Sequence, residues 1–145
     1  MKIVLQRFLT ADVIIGDKIH SSIDQGLLIL LGIQKADTIK DIEYLAKKIV
    51  KLRIFNDNKN KMNLSIMDLN FSIMLISQFT LYGDINKGNR PSFINAAKPA
   101  AAKPLYTLFI KELEKYNIKI KTGQFGAHMQ VKFINDGPVT IILES

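Results

Sequence analysis

Eight consecutive residues, Gly26-Leu27-Leu28-Ile29-Leu30-Leu31-Gly32-Ile33, carry no polar side chain. A helix that crosses a bilayer needs about 20 apolar residues, so this run is too short to span a membrane. Strands that are apolar without interruption are typical of positions where both faces of a sheet are covered. The run therefore predicts a strand over 27–33 that is covered on both faces.

Patterns of strands and helices extend along the rest of the chain. Thr38 with Asp41 resembles a capping box, and helical spacing of the apolar residues that follow predicts an amphipathic helix over 39–52. Pro104 is predicted to begin a second helix, because a missing N–H costs nothing at the first helical position. Gly16-Asp17 is a hairpin signal. The predicted strands are 1–9, 12–23, 27–33, 71–79, 128–134 and 139–144. The buried stripe of the second helix is predicted to be Leu105, Leu108, Phe109, Leu113 and Tyr116.

Six or seven strands with two main helices predict an α+β fold. Its sheet is expected to be mostly antiparallel and strongly curved or barrel-like, with the helices packed against it. The chain has no internal repeat, low-complexity tract or linker. With 145 residues, it is expected to form a single domain over 1–145.

Composition narrows the function classes. The chain is 48% hydrophobic and 23% charged, as is ordinary for a soluble protein, and it has no cysteine, which excludes disulfides, thiolate metal sites and a cysteine nucleophile. His20 and His128 lie at no metal-ligand spacing, so no metal site is predicted, although a triad assembled in space stays open. Gln6 and Arg7 interrupt the apolar run that a signal peptide needs, and we expect a cytosolic protein.

The formal net charge is +7. A basic protein often binds a polyanion such as nucleic acid, but a basic surface without such a partner explains the charge equally well. Lysine and arginine residues concentrate on and after the first helix. A solvated helix face and a footprint for a phosphate backbone are both consistent with them. These residues are Lys47, Lys48, Lys51, Arg53, Lys59 and Lys61.

Three polar stretches could carry chemistry. Ser77-Gln78-Phe79-Thr80 ends an apolar strand and offers hydroxyl, amide and free backbone N–H groups, either for an oxyanion or only for hydrogen bonds within its own turn. The loop 87–93, which contains Arg90, suits a grip on phosphate or sugar, or is a solvated basic loop. Asn135-Asp136-Gly137-Pro138 is strong turn chemistry, and a plain turn between two strands is the simplest interpretation.

The stretches SQFTLYG at 77–83 and NDGPVT at 135–140 resemble the two signature motifs of the D-aminoacyl-tRNA deacylases, also called D-tyrosyl-tRNA deacylases. The resemblance extends over the whole chain without large gaps, through LQR at 5–7, GLLILLGI at 26–33, YLAKKIVKLRIF at 44–55, KMNLS at 61–65, RPSF at 90–93, PLY at 104–106 and TGQFGAHMQV at 122–131. Two positions depart from the family pattern. His128 stands where an acidic residue is expected, and Gln124 where a basic or acidic one is expected.

The resemblance implies a cytosolic homodimer with a barrel-like sheet and no metal or organic cofactor. It implies hydrolysis of the ester that joins a D-amino acid, or glycine, to the 3′-terminal adenosine of tRNA, as chiral proofreading in translation. It also implies that Gly137-Pro138 is a cis peptide that projects into the active site of the partner subunit and rejects L-aminoacyl-tRNA.

The same resemblance implies roles for individual residues. The backbone N–H groups of Phe79 and Thr80 are expected to stabilise the oxyanion, while the side chains of Ser77, Gln78 and Thr80 hold the ester and the terminal ribose. The expected substrate-binding residues are Gly137, Pro138, Phe125, Met129 and Arg90, with Phe125 and Met129 lining the adenosine pocket. Direct attack by water is favoured over a covalent Thr80 ester, because no activating base lies nearby in sequence.

Two other function classes remain consistent with the residues. A nucleic-acid adaptor without enzymatic activity would explain the charge but not the two motifs. An esterase for small molecules would use Ser77 or Thr80 and would cleave free aminoacyl esters as well as esters on tRNA.

Overall fold

The computed structural model covers residues 1–145 and contains eight strands, three α-helices and one short 3-10 helix. The strands are β1 (Lys2–Ile15), β2 (Lys18–Ile23), β3 (Gly26–Gly32), β4 (Phe55–Asn56), β5 (Met62–Leu64), β6 (Ser72–Ser77), β7 (Ile120–Thr122) and β8 (Gln130–Glu144). The helices are α1 (Ile39–Lys51), α2 (Ile66–Leu69) and α3 (Pro99–Glu114), and the 3-10 helix is Phe79–Tyr82. None of the helices is long and apolar enough to cross a membrane.

Six strands form one curved sheet in the order β2-β1-β3-β6-β7. β2 and β3 pair with different halves of the long strand β1, and β8 pairs with β1 along most of its length. The long strand β1 pairs antiparallel with β2, β3 and β8, while β3–β6 and β6–β7 are parallel. The hydroxyl of Ser21 on β2 donates to the carbonyl of Thr122 on β7 at 2.9 Å, which links the two end strands. The α+β fold with a mostly antiparallel, barrel-like sheet is therefore confirmed. The one-turn helix α2, the hairpin β4–β5, the short strand β7 and the 3-10 helix are additional to the predicted elements.

The apolar strand β3 is covered on both faces, as its composition predicts. Leu27, Ile29 and Leu31 belong to the large core between the sheet and the helices, whereas Leu28 belongs to a smaller core on the other face. β3 also approaches β6 closely, since a Cβ placed on Gly26 would lie only 1.9 Å from the carbonyl oxygen of Ser72. The glycine at the start of β3 thus allows β6 to pack close to it. The end of β6 carries the first candidate motif.

Helix α1 follows its sequence prediction. The carboxylate of Asp41 accepts hydrogen bonds from the backbone N–H of Thr38 at 2.7 Å and from its hydroxyl at 2.8 Å. These bonds satisfy the helix start and lower the pKa of Asp41 below its ordinary value, the backbone bond from Thr38 being the largest cause. The apolar face of α1 is buried against the core, and its exposed face carries Lys47, Lys48 and Lys51.

Helix α3 differs from its prediction in both start and buried face. It begins at Pro99, and Pro104 lies inside the helix. Pro104 is the sixth residue of the helix, where a proline removes the hydrogen bond to the carbonyl of Ala100 and its ring crowds that carbonyl, so the helix carries a local cost at this position. The buried residues are Ala102, Tyr106, Phe109 and Leu113, whereas Leu108 is exposed and Leu105 is only partly buried. Phe109 and Leu113 are thus buried as predicted, Tyr116 lies after the helix and is partly buried, and Leu108 is the predicted stripe residue that faces away from the core.

The segment around Gly137-Pro138 is not a turn between two strands, and that prediction was wrong. β8 runs from Gln130 to Glu144, and both of its halves pair with the same strand, β1. Gln6 lies opposite Thr140 and Phe8 lies opposite Asn135, which leaves residues 136–139 opposite the single residue Arg7. The extra residues form a bulge in a continuous strand.

Candidate active site

A cavity of about 610 Å³ opens at the edge where β3 and β6 end. Because the two strands are parallel, with Leu31 opposite Ser77 as the last pair, their carboxyl ends meet at this edge. The start of α3 and the segment 125–131 form the remaining walls. The cavity is lined by Leu31, Ile33, Ile76, Ser77, Gln78, Phe79, Phe93, Ala96, Ala97, Lys98, Pro99, Ala102, Phe125, Gly126, Ala127, His128, Met129 and Val131.

The turn that follows β6 presents free backbone donors at this edge. The N–H of Gln78 still donates to the carbonyl of Leu31 at 2.8 Å, and the chain then enters the 3-10 helix. Phe79 and Thr80 are the first two residues of that helix, so their N–H groups have no acceptor within it. Gly32 allows the turn to pack this closely, since a Cβ there would lie 3.2 Å from the carbonyl oxygen of Gln78.

The side chains of Gln78 and Thr80 form one polar unit. The amide of Gln78 donates a hydrogen bond to the hydroxyl of Thr80. A primary amide is a neutral group that cannot accept the hydroxyl proton as a base would. With its oxygen accepting from Gln78, the hydroxyl of Thr80 keeps its own proton available for a ligand. This arrangement orients the hydroxyl for binding and does not activate it as a nucleophile.

Phe125 and Met129 form a supported apolar wall. The ring of Phe125 packs on that of Tyr106 with centroids 5.6 Å apart, and the hydroxyl of Tyr106 donates to the buried carbonyl of Leu75 at 2.8 Å. Burial raises the pKa of Tyr106 above its ordinary value, so its hydroxyl stays protonated and remains a neutral donor. The sulfur of Met129 lies directly over Gly123, where a Cβ would approach it to 2.4 Å.

The cavity contains no carboxylate. Its charged or titratable lining groups are Lys98 and His128. No three His, Asp or Glu side chains come together in a group that could hold a metal ion. An anionic or neutral polar ligand is therefore favoured at this edge over a cation.

The side chain of Arg7 stabilises the bulge on β8 through contacts with Asp136. The Nε of Arg7 lies 2.8 Å from Oδ2 of Asp136, and its Nη1 donates to the carbonyl of Ile54 at 2.7 Å. Gly137 has φ of +123°, a conformation that favours glycine, and the Gly137–Pro138 peptide bond is cis. Both residues are exposed, so the bulge presents main chain at the surface.

Comparison with known proteins matches these features to one family. A family model described as D-Tyr-tRNA(Tyr) deacylase matches residues 4–144. The chain belongs to the D-Tyr-tRNA(Tyr) deacylase family. A curated relative from Thermosipho africanus, named D-aminoacyl-tRNA deacylase, is 52% identical over the whole chain and 97% of its own length.

Solved structures show that the family fold covers the whole molecule. A protein described as c-Myc DNA Unwinding Element Binding Protein has a TM-score of 0.94 and 44% identity, covering 100% of this chain and 99% of its own. A second structure, of a probable eukaryotic D-amino acid tRNA deacylase, has a TM-score of 0.82 at 16% identity and covers 98% and 97% of the two chains. The second likeness concerns the fold alone.

Within this member of the D-Tyr-tRNA(Tyr) deacylase family, the structure brings together most of the predicted site. Ser77, Gln78, Phe79, Phe125 and Met129 all line the cavity. Thr80 stands beside it on the exposed turn, bonded to Gln78. His128 faces the cavity, whereas Gln124 is exposed outside it.

Three predicted residues lie away from the cavity of their own chain. Gly137 and Pro138 are on the β8 bulge. Arg90 is exposed in the loop whose ends are joined by two backbone hydrogen bonds of 2.8 Å between Asp84 and Ser92. This chain therefore does not bring its Gly137-Pro138 segment to its own cavity.

Two contributions to the site were missed in the sequence. Lys98 and Pro99 line the cavity because α3 begins there, and the pair Lys-Pro before an alanine run is a signal for a helix start that could have located them. Arg7 supports the bulge from 129 residues away along the chain, and no local signal indicates that contact.

Proposed function

We propose that this protein hydrolyses the ester between a D-amino acid and the 3′-terminal adenosine of tRNA, as a carboxylic ester hydrolase that removes D-amino acids in translation. The observation that carries the proposal is the match of residues 4–144 to the deacylase family. The supporting geometry is a turn with two free N–H groups beside a cavity without carboxylates. Residues 1–145 act as one catalytic domain in the cytoplasm.

The proposed chemistry needs no strong nucleophile, because an aminoacyl ester is already activated. A water molecule attacks the carbonyl carbon, and the carbonyl oxygen becomes an oxyanion. The N–H groups of Phe79 and Thr80 donate to that oxyanion from a turn whose backbone is already fixed by the hydrogen bond from Gln78 to Leu31. Donors that need no reorganisation stabilise such a charge well. Collapse of the intermediate breaks the bond between the carbonyl carbon and the ribose oxygen. The ribose oxygen takes one proton of the attacking water, and the amino acid leaves as a carboxylate with the second proton passing to solvent.

The side chains around the turn position the substrate. Ser77 and the bonded pair Gln78–Thr80 hold the ester and the terminal ribose, with the hydroxyl of Thr80 as a donor. Phe125 and Met129 receive the adenine against the apolar wall of the cavity. We place Arg90 on the tRNA backbone, because its loop is exposed and basic. The 2′-hydroxyl of the ribose helps to orient the water.

We further propose that the active site is completed by a second copy of the chain. The Gly137–Pro138 bulge is exposed and does not line its own cavity, so it is free to enter the cavity of a partner. Exposed apolar side chains on β1 and β8, including Leu9, Ile134 and Ile142, offer a surface for a two-fold interface that carries two equivalent sites. Sedimentation that shows only monomer at micromolar concentration would contradict this assembly.

The bulge also supplies the proposed chiral filter. Its carbonyl groups accept hydrogen bonds from the α-amino group of the substrate, and its main chain occupies the space that an L side chain would need. Main chain cannot rotate away as a side chain can, so rejection of L-residues does not depend on their side chains. Glycine has no side chain to collide, and glycyl-tRNA is therefore accepted as well.

The experiment that tests this function compares four substrates at equal concentration: D-tyrosyl-, glycyl-, L-tyrosyl- and L-alanyl-tRNA. We expect rapid hydrolysis of the first two and survival of the last two. Hydrolysis of L-alanyl-tRNA at a rate close to that of glycyl-tRNA would contradict the filter. Rapid cleavage of free aminoacyl methyl esters would favour an esterase for small molecules.

Binding of nucleic acid without hydrolysis is the second candidate. The net charge of +7 and the lysines on the exposed face of α1 favour it. The solved relative of 44% identity is named for binding DNA. Tight binding of D-tyrosyl-tRNA that stays uncleaved would support this function and contradict the deacylase.

A further inference from the structure

A second groove continues outward from the active-site cavity along α3. It is an open surface groove of about 930 Å³, lined by Pro99, Ala100, Lys103, Pro104, Thr107, Leu108, Phe125 and Gly126. Pro99, Phe125 and Gly126 line both the groove and the cavity, so the two spaces are contiguous. A ligand seated in the cavity can therefore extend into the groove without leaving the protein surface.

The charge along this path has one sign. Lys98 lines the cavity and Lys103 lines the groove, and no carboxylate lines either space. Both lysine side chains are exposed, and none of the protein's ion pairs uses them. Lys98 is the N-cap of α3 and Lys103 is the fifth residue of the helix, so the two cations lie within about one and a half turns of each other. A chain of phosphates that follows the path meets cations only.

The floor of the groove is apolar. Leu108 is 39% exposed although it is a large hydrophobic residue, and Pro104 lies one turn before it on α3. Sites for single-stranded nucleic acid combine cations along the phosphate backbone with side chains on which bases stack, most often aromatic ones, and Phe125 lines this groove beside Pro104 and Leu108. A double helix would not expose its bases to such a floor.

We propose that this groove binds the single-stranded nucleotides that precede the terminal adenosine of tRNA, with their phosphates near Lys98 and Lys103 and their bases over Pro104 and Leu108. The inference rests on the proposed function, since it continues the path of an adenosine seated against Phe125 and Met129. It assigns to α3 the recognition of an unpaired 3′ end.

The test measures binding of two probes, the trinucleotide CCA and adenosine 5′-monophosphate, by calorimetry at several salt concentrations. We expect the wild type to bind CCA more tightly than the mononucleotide. Lys103→Ala and Lys98→Ala should each weaken binding of CCA about two- to fivefold, the effect of losing one exposed charge pair. Each should also lower the slope of log affinity against log salt by about 0.7.

Lys111→Ala is the matched control, because Lys111 is an exposed lysine of α3 that lines neither space. Alanine is the best helix former, so all three variants should keep the helix. Equal affinity of wild type and Lys103→Ala for CCA would contradict binding in the groove. An equal loss of affinity in Lys111→Ala would contradict it as well. Circular dichroism of each variant confirms that the helix content is unchanged.

Hydrolysis of D-tyrosyl-tRNA by the same proteins separates this inference from the proposed function. A rise in KM for Lys103→Ala, with kcat close to that of the wild type, supports the groove. A wild type that binds CCA through Lys103 but leaves D-tyrosyl-tRNA intact would support the groove and overturn the deacylase. If the wild type hydrolyses the tRNA and Lys103→Ala has the same kcat and KM, nucleotide binding in the groove is contradicted while the deacylase function stands.

Discussion

Arg7 on β1 and Asp136 on β8 form an ion pair, with Nε and Oδ2 2.8 Å apart, at the base of the bulge that carries Gly137 and Pro138. The guanidinium is almost completely buried, and its Nη1 also donates to the carbonyl of Ile54. One buried cation on β1 thus connects the bulge to Ile54, the residue that precedes β4. The main chain proposed to select the substrate is held by this contact.

Removal of the carboxylate should destabilise the protein. Asp136→Ala leaves the buried guanidinium of Arg7 without its counter-ion, and we expect the free energy of unfolding to fall by about 2 kcal/mol, less than for a fully buried pair because solvent reaches the carboxylate. Glu144→Ala is the matched control, since it breaks the other β8–β1 pair, Glu144–Lys2 at 3.0 Å, on the exposed surface. That variant should lose less than about 1 kcal/mol. Equal losses in urea unfolding would contradict the structural role of Arg7.

Substitution of Thr80 should weaken catalysis without abolishing it. The hydroxyl of Thr80 accepts from the neutral amide of Gln78, so Thr80→Ala removes a positioning group and should lower kcat about 10²-fold. Loss of a covalent nucleophile typically costs about 10⁶-fold. Mass spectrometry of the protein quenched during turnover provides the second measurement. An aminoacyl adduct on Thr80 would overturn direct attack by water.

The space beside Met129 should depend on Gly123. A Cβ at position 123 would lie 2.4 Å from the sulfur of Met129 and 3.1 Å from Cδ1 of Ile76, so Gly123→Ala must push the flexible thioether into the cavity. We expect a rise in KM for D-tyrosyl-tRNA with little loss of stability. The double variant Gly123→Ala/Met129→Ala lacks the displaced group, so its KM should equal that of Met129→Ala alone. A double variant with a clearly higher KM than Met129→Ala would mean that the backbone, and not only Met129, had moved.

Complementation between subunits should restore activity. We expect Thr80→Ala, with an impaired turn, and Gly137→Val, with a distorted bulge, to be weakly active alone. If the bulge of one chain completes the site of its partner, mixed dimers contain one intact site out of two. Random exchange should then recover about a quarter of the wild-type rate. A mixture no more active than the average of its two components would place the bulge and the turn of one site in the same chain.

The carboxylate of Asp41 at the start of α1 should make the free energy of unfolding depend on pH. The lowered pKa of Asp41 means that its contribution is present above the pKa of about 4 in the unfolded chain and is lost as the pH falls through the lower folded value. Asp41→Ala should cost about 1 kcal/mol at pH 7, as for loss of a helix cap. The difference between wild type and variant should shrink below about pH 4. A constant difference from pH 7 to pH 3 would contradict the cap.

Local patterns in the sequence determined many of the elements. The unbroken apolar run predicts β3 and its coverage on both faces, Gly16-Asp17 predicts the hairpin of β1 and β2, and the period and capping box predict α1 within one residue. The motif 77–80 was also located correctly at the end of a strand. Each of these features depends on residues a few positions apart, so that short-range geometry is sufficient to specify it.

Only the tertiary structure decided how distant residues meet. Gly137-Pro138 reads locally as a turn, but both flanking segments pair with β1, and the excess residues must bulge over Arg7. The start of α3 lines the cavity because the parallel pairing of β3 with β6 brings the turn after Ser77 to the edge where α3 begins. Sheet order and buried hydrogen bonds set these contacts. They join residues as far apart as Arg7 and Asp136, whose pairing lowers the free energy only after the chain between them has folded.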